Sequence, residues 1–356
     1  MLAAMATSPN LRRGWTTGAC ATAAAAAAAT ALRTGAFPDP VTVRLPGGQT
    51  PAFPLARQAL GGDWAEAGVV KDAGDDPDVT HGCLVQARVR PLPAGSGLVF
   101  RAGEDVGTVT RPGLPLAVGE PAINPGPRAM IAANLGLADA EITISIPGGA
   151  DLALKTLNGR LGILGGLSVL GTTGIVVPYS CAAWVDSIHR AVDVARAAGL
   201  CHLAAVTGAA SEAGVRALYP DLPDLAVIDV GDFMGGLLKY LRRHPVAKLT
   251  IAGGFAKTTK LAAGHLNLHS KASEIDFAWL AGVLAEAGGS PEQVASARAA
   301  GTAMAVLDLA RAANLPLADA IAARARAVAF EAAEGRVAVE IAVFDRAGTL
   351  VGRHDG

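Results

Sequence analysis

The chain has 356 residues, 51% of them hydrophobic, 17% charged and 4% aromatic, with a formal net charge of −1. The length exceeds one ordinary core and predicts two domains; the apolar content excludes a disordered chain, and the balanced charge excludes bulk attraction to nucleic acid or an anionic membrane. Cys20, Cys83, Cys181 and Cys201 show no C-x-x-C spacing, which argues against a zinc or redox motif and suits a reducing, cytoplasmic setting.

In chain order, Arg12 and Arg13 followed by the alanine run 19–31 superficially copy an export signal. Alanine is a weak hydrophobe and the best helix former, and Gly14, Thr16, Thr17 and Gly18 interrupt the start, so the run predicts a buried helix instead. Short strands are expected at 41–45, 84–89 and 99–101, and a helix containing Arg128 to Asn134 after the Pro-rich stretch 121–127. Alternation predicts a strand over 141–146, turned by Pro147-Gly148-Gly149 into a hairpin with 151–156.

From about residue 159 the rhythm changes to short apolar strands alternating with amphipathic helices. Strands are expected at 201–206, 226–230 and 248–252, and helices at 182–198, 212–218 and 233–242. Helical patterns follow at 275–287, 291–313 and 317–333, and a strand at 337–344 closes the pattern. The expected architecture is an α+β domain over 1–158, then an α/β domain with a mostly parallel, helix-flanked sheet over 159–356, which the family resemblance given below makes Rossmann-like and three-layered.

Chemistry-bearing segments follow from residue type. The expected strands of the second half end in Thr207-Gly208, in Asp229 to Asp232 and in Gly253-Gly254, where an open α/β sheet binds ligands. Gly208 and Gly253 would let a ligand approach the backbone and Asp229 could accept from a ribose diol, against the alternative that the glycines only make tight turns. The segment 161–174, with Gly165, Gly166, Thr172 and Thr173, offers amides and hydroxyls without bulk but matches neither G-x-G-x-x-G nor a P-loop. Thr16 and Thr17 stand at a helix start, where they either cap the helix or help to hold an anion. In the loop 71–82, Asp75, Asp76 and His81 are candidates for general acid–base work, against the alternative that its aspartates only cap turns. Arg111 and Arg128 flank a rigid Pro-rich loop and suit carboxylates, as do Lys257 and Lys260. His265 and His269 have the i, i+4 spacing of a metal pair but no evident third ligand, so no metal site is assigned. No Gly-x-Ser-x-Gly elbow, kinase set or H-E-x-x-H is present, which removes the best support for hydrolases and metalloproteases.

These segments, in order, resemble the CbiD family over essentially the whole chain. The strings are Gly14-Trp15-Thr16-Thr17-Gly18-Ala19-Cys20-Ala21, residues 71–82, 107–115, 119–128 and 162–175, and Lys260-Leu261-Ala262-Ala263-Gly264 with Asn267 and His269-Ser270. The resemblance implies S-adenosylmethionine-dependent methylation of C1 of cobalt-precorrin-5B, giving cobalt-precorrin-6A, with cobalt present only as part of the substrate. It implies no nucleic-acid or membrane partner, and it is compatible with a homo-oligomer and with contacts to other corrin-pathway enzymes. The expected roles are then Gly165, Gly166, Thr172, Thr173, Gly208, Asp229 and Gly253 toward the methyl donor, and Thr16, Thr17, Arg111, Arg128, Lys257 and Lys260 toward the polyacid ring. The chain departs from the family's wording at Trp15 (usually Tyr), at Ala19 (usually Thr) and at Gly254-Phe255, where relatives often read Gly-His-Ile-Gly. Two other readings remain: a non-catalytic corrinoid-binding scaffold, and a methyltransferase acting on another acidic small molecule.

Overall fold

The computed structural model describes residues 11–355. The chain divides after Ser180 into two compact units. The change of rhythm near residue 159 therefore precedes the division. Residues between the two points pair with the first unit: Ile163–Leu164 with Thr108–Val109, and Ile175–Val176 with Gly14–Trp15.

The first unit is built around the helix Thr17–Thr34. Every residue from Thr17 to Ala29 is buried, as a helix apolar on all sides requires. It packs against the strands Ala65–Val70 and Leu84–Pro91 and the helix Pro125–Leu135. Alanine methyls on the helix meet small residues on the sheet (Ala65, Ala67, Ala87), so the backbones approach closely and large side chains are not needed to fill the layer. The sheet runs Arg57–Leu60, Ala65–Val70, Leu84–Pro91, Ala140–Ser145, Leu98–Ala102, antiparallel except for the last pair.

The expected hairpin after residue 146 does not form: Gly149–Ala153 is a short helix. Both edges of Ala140–Ser145 are already taken, by Leu84–Pro91 and by Leu98–Ala102, so a returning strand has no place to pair. The strand expected over 41–45 shortens to Val41–Thr42, paired with Ala52–Phe53.

The second unit holds a five-stranded sheet in the order Val227–Asp229, His202–Val206, Lys248–Gly254, Ala338–Phe344, Leu350–His354. The first four strands are parallel and the edge strand is antiparallel. Both faces of the central strands are covered. Ala204, Val206, Ala252, Ala342 and Phe344 cluster with Val215 of the helix Ala209–Leu218, while the alternate residues Leu203, Ala205, Ile251 and Ile341 are also buried. The helical pattern over 291–313 is two helices, Pro291–Arg298 and Ala303–Ala312. Thr302 caps the second, accepting from the amide of Ala305, and Gly301 lies in the break that the alanine-rich pattern hides. No helix among the described residues is long and apolar enough to cross a membrane.

Candidate active site

In the first unit, segments far apart in sequence are laced together at the start of the buried helix. The amide of Trp15 donates to Asp72 O (2.7 Å), that of Thr16 to Gly174 O (3.0 Å) and that of Gly18 to Leu170 O (2.8 Å). Val169 exchanges bonds with the 122–124 loop, Gly107 donates to Leu167 O, and Thr110 to Gly162 O. The loops 12–18, 72–76, 105–110, 119–124 and 158–176 thus form one cluster.

Most polar groups in this cluster hold the chain itself. Thr16 Oγ1 accepts from the Ala19 amide (3.1 Å) and caps the helix, and Thr17 is buried. Thr173 Oγ1 accepts from the Ile175 amide (3.2 Å), while Thr172 is exposed. Gly166 is required for close packing, since a Cβ there would lie 2.0 Å from Asp105 O; Gly165, with φ +85°, has open space.

The acidic loop is braced in the same way. Asp75 accepts from the Arg12 amide (2.6 Å) and Asp76 from the Tyr179 amide (2.8 Å). Lys71, only 1% exposed, pairs with Asp78 and donates to Thr80 Oγ1 (2.8 Å). Arg12 grips Asp72 with both terminal nitrogens, and with the Gly74 amide it holds that carboxyl down at about 2. Burial works to raise Asp78, but Lys71 and Thr80 outweigh it and leave the carboxyl below its usual range. Both shifts run opposite to what a general acid needs. His81 accepts the Ala73 amide through Nδ1 (3.1 Å), so the neutral ring carries its proton on Nε2 and presents a donor, not a base. Burial pushes the Cys20 thiol up to about 12 and the Cys83 thiol up to about 11, which keeps both out of nucleophilic chemistry.

The two arginines divide. Arg128 donates to Ile123 O (2.8 Å) and Glu120 Oε2 (2.7 Å) and lies over the Phe100 ring, so it fixes the Pro-rich loop. Arg111 is exposed, its stem lies over Gly162, and among the described residues its side chain makes no ion pair or hydrogen bond. Exposed apolar side chains lie on the same loop cluster: Leu164, Leu170 and Tyr179.

In the second unit, the chain leaves His202–Val206 for the strand on one side and later returns on the other side as Lys248–Gly254. The order reverses between these two strands, and such a switch point opens a crevice outside their carboxyl ends. Thr207, Gly208, Asp229, Gly231, Asp232, Gly253 and Gly254 stand there. A Cβ at Gly208 or Gly254 would meet nothing within 4 Å, so the backbone is open to a ligand at both tips. The helices Ala209–Leu218 and Phe255–Ala262 begin directly after these two residues, and neither start carries a side-chain cap bond. Gly253, by contrast, is packed: a Cβ would come within 3.1 Å of Thr207 Oγ1. Asp229 Oδ1 accepts from the Gly231 amide (3.0 Å), leaving its second oxygen for a ligand hydroxyl.

Lys257 and Lys260 point their ammonium groups at backbone. Lys257 Nζ donates to Thr207 O (2.7 Å) and Lys260 Nζ to Leu268 O (3.1 Å). His265 and His269 lie in a loop after the helix Phe255–Ala262, so their spacing does not place them on one helical face. Among the described residues no group of three or more candidate ligands gathers for a metal ion.

Sequence reasoning missed a second polar cluster, at the opposite, amino-terminal edge of this sheet. Glu340, 1% exposed, takes bonds from Arg353 (2.7 Å), Thr250 (2.7 Å) and Tyr219 (2.5 Å) and pairs with Lys248 (2.8 Å). Nothing local marks Glu340 in a strand that otherwise reads as apolar. Its partners come from residues up to 121 positions away.

Two family models match the chain: one described as CbiD over residues 4–178, and one described as CbiD, C-terminal domain, over residues 267–355. Curated relatives are similar over nearly the full length. One from Bradyrhizobium sp. is 59% identical, covering 96% of this chain and 93% of its own. One from Paramagnetospirillum magneticum is 58% identical, covering 98% and 99%. One from Rhodospirillum rubrum is 60% identical, covering 96% and 97%. Each is named cobalt-precorrin-5B C(1)-methyltransferase. A crystal structure of a cobalamin biosynthesis protein (cbiD) from Archaeoglobus fulgidus matches at 29% identity over 69% of this chain and 77% of that one, with a TM-score of 0.39.

Proposed function

The chain belongs to the CbiD family, and from that membership we propose that it is the enzyme that methylates C1 of cobalt-precorrin-5B in cobalamin biosynthesis, using S-adenosylmethionine and giving cobalt-precorrin-6A. The observation that carries the reading is near-full-length identity of 58–60% to relatives of that name. Cobalt enters only inside the substrate.

We place the methyl donor in the second unit, read as a Rossmann-like three-layer domain, at the switch point. Gly208 and Gly254 leave room for the adenosyl and methionyl groups, the two helix starts suit the donor's carboxylate, and Asp229 suits a ribose hydroxyl. Gly166 and Thr173 are occupied in holding the first unit together, which argues against the segment 161–174 as the donor cradle. The ring's acetate and propionate groups have better partners in the first unit. Arg111 offers an uncommitted guanidinium, His81 an N–H donor, and Leu164 and Leu170 apolar surface for the macrocycle.

The reaction asks little of any one side chain. An electron-rich ring carbon forms its bond to the methyl carbon as the S–CH3 bond breaks, and the sulfonium becomes a neutral thioether. Alignment and exclusion of water supply most of the rate. That fits a site without a nucleophilic triad. Cytoplasmic residence is part of the proposal, supported by free cysteines and by the enzyme name that the relatives carry.

Incubating the protein with S-adenosylmethionine and cobalt-precorrin-5B, then weighing the product by mass spectrometry, tests the assignment. One added methyl group is expected. An unchanged mass, with the ring bound, would turn the reading to a corrinoid scaffold; methylation of other acids but not of this ring would turn it to a different methyltransferase.

A further inference from the structure

The geometry points to Lys257 as a positioning residue for the methyl donor: its ammonium pins together the two strand tips that build the donor crevice. The inference rests on the placement of the donor in the second unit.

Lys257 sits on the helix Phe255–Ala262, directly after the strand Lys248–Gly254. Its Nζ donates to Thr207 O at 2.7 Å, at the tip of His202–Val206, and lies 3.4 Å from Gly231 O, beyond the tip of Val227–Asp229. The same nitrogen is 3.0 Å from Asp232 Oδ1, a buried oxygen with no hydrogen-bond partner of its own. One cation therefore bridges elements from three adjacent strands, with the reversal of strand order among them. Its donors are turned to backbone carbonyls, not outward to a ligand. The loops it fixes carry Gly208 and Asp229, the groups proposed to receive the adenosyl moiety. A polyacid clamp would need the ammonium uncommitted, and here two carbonyls and a carboxylate already share it.

The ammonium also neutralises Asp232. Removing it alone leaves a half-buried carboxylate, one oxygen of which is closed off from solvent, uncompensated and endangers the fold. The test therefore pairs Lys257→Met with the double variant Lys257→Met/Asp232→Asn, which removes both charges and keeps the shape at residue 232. Lys257→Arg retains the cation, and Gly254→Leu places a side chain in the open space of the crevice. In the full-length protein, affinity for S-adenosylhomocysteine is read by calorimetry, the KM for cobalt-precorrin-5B by initial rates, and folding by thermal melting.

The expected result is an approximately tenfold loss of donor affinity in the folded double variant. The tetrapyrrole KM should change by less than about twofold, since the ring is held elsewhere, and Lys257→Arg should recover much of the loss. A rise in tetrapyrrole KM with donor affinity intact would overturn the inference and make Lys257 a substrate clamp. Unchanged donor affinity in the double variant would also overturn it. Gly254→Leu separates the two levels. If it leaves donor affinity intact, the placement of the donor itself fails. If it abolishes binding while the double variant binds normally, only the role of Lys257 fails.

Discussion

Arg111 and Arg128 have the same chemistry and flank the same loop, yet their surroundings assign them different work. Arg128 is committed to Glu120 and the Ile123 carbonyl, whereas Arg111 faces solvent. Arg111→Ala should raise the tetrapyrrole KM by roughly tenfold, the worth of one charge-assisted contact, and leave the melting temperature unchanged. Arg128→Ala should instead cost about 1–3 kcal/mol of stability, because it takes the donor from the carbonyl of the buried Ile123 and frees the Pro-rich loop. Steady-state kinetics and denaturant melts on both variants check this; a KM effect confined to Arg128 would reverse the roles. The sequence put both arginines beside a carboxylate-binding loop, but which one was already occupied depended on the fold of residues 119–128.

The helix Thr17–Thr34 was legible in outline, and its burial followed from alanine on every face. Its tolerance follows too. Ala24 is fully buried in the core cluster that this helix forms with the sheet and the helix Pro125–Leu135. Ala24→Leu should destabilise the protein by about 1–3 kcal/mol by overpacking, measurable as a lower urea midpoint; an unchanged midpoint would mean the layer is looser than described. Parallel strands and their helices were equally readable, since continuous apolar runs between turn residues leave few alternatives. The misses share a physical cause. The hairpin after residue 146 looked right locally and failed because other strands already held both edges. The helices Pro291–Arg298 and Ala303–Ala312 merged in the pattern because Ala299 and Ala300 extend it up to Gly301. Pairing across long separations leaves no local mark, which also hid Glu340 and the lacing of residues 162–176 into the first unit.

For the molecule as a whole, the parallel sheet carries polar groups at both ends with different consequences. At the amino-terminal edge, burial alone would raise the Glu340 carboxyl, but bonds from Lys248, Thr250, Tyr219 and Arg353 hold it down at about 2. A folded-state value below the ordinary one, about 4.3, gives stability that is present above that pH and lost as pH falls toward 2. The contribution is on the order of 3 kcal/mol. Acid titration of stability should therefore drop across this window, and Glu340→Gln, though less stable at neutral pH, should show a shallower fall. Equal slopes would mean that other carboxylates dominate. At the carboxyl-terminal edge the open glycines and Lys257 form the region proposed for the donor, and its position can be read directly. Hydrogen–deuterium exchange of the full-length protein with and without S-adenosylhomocysteine should show new protection at residues 207–212, 229–233 and 253–258. Protection confined to residues 162–174 of the first unit, with the strand tips unchanged, would contradict the account.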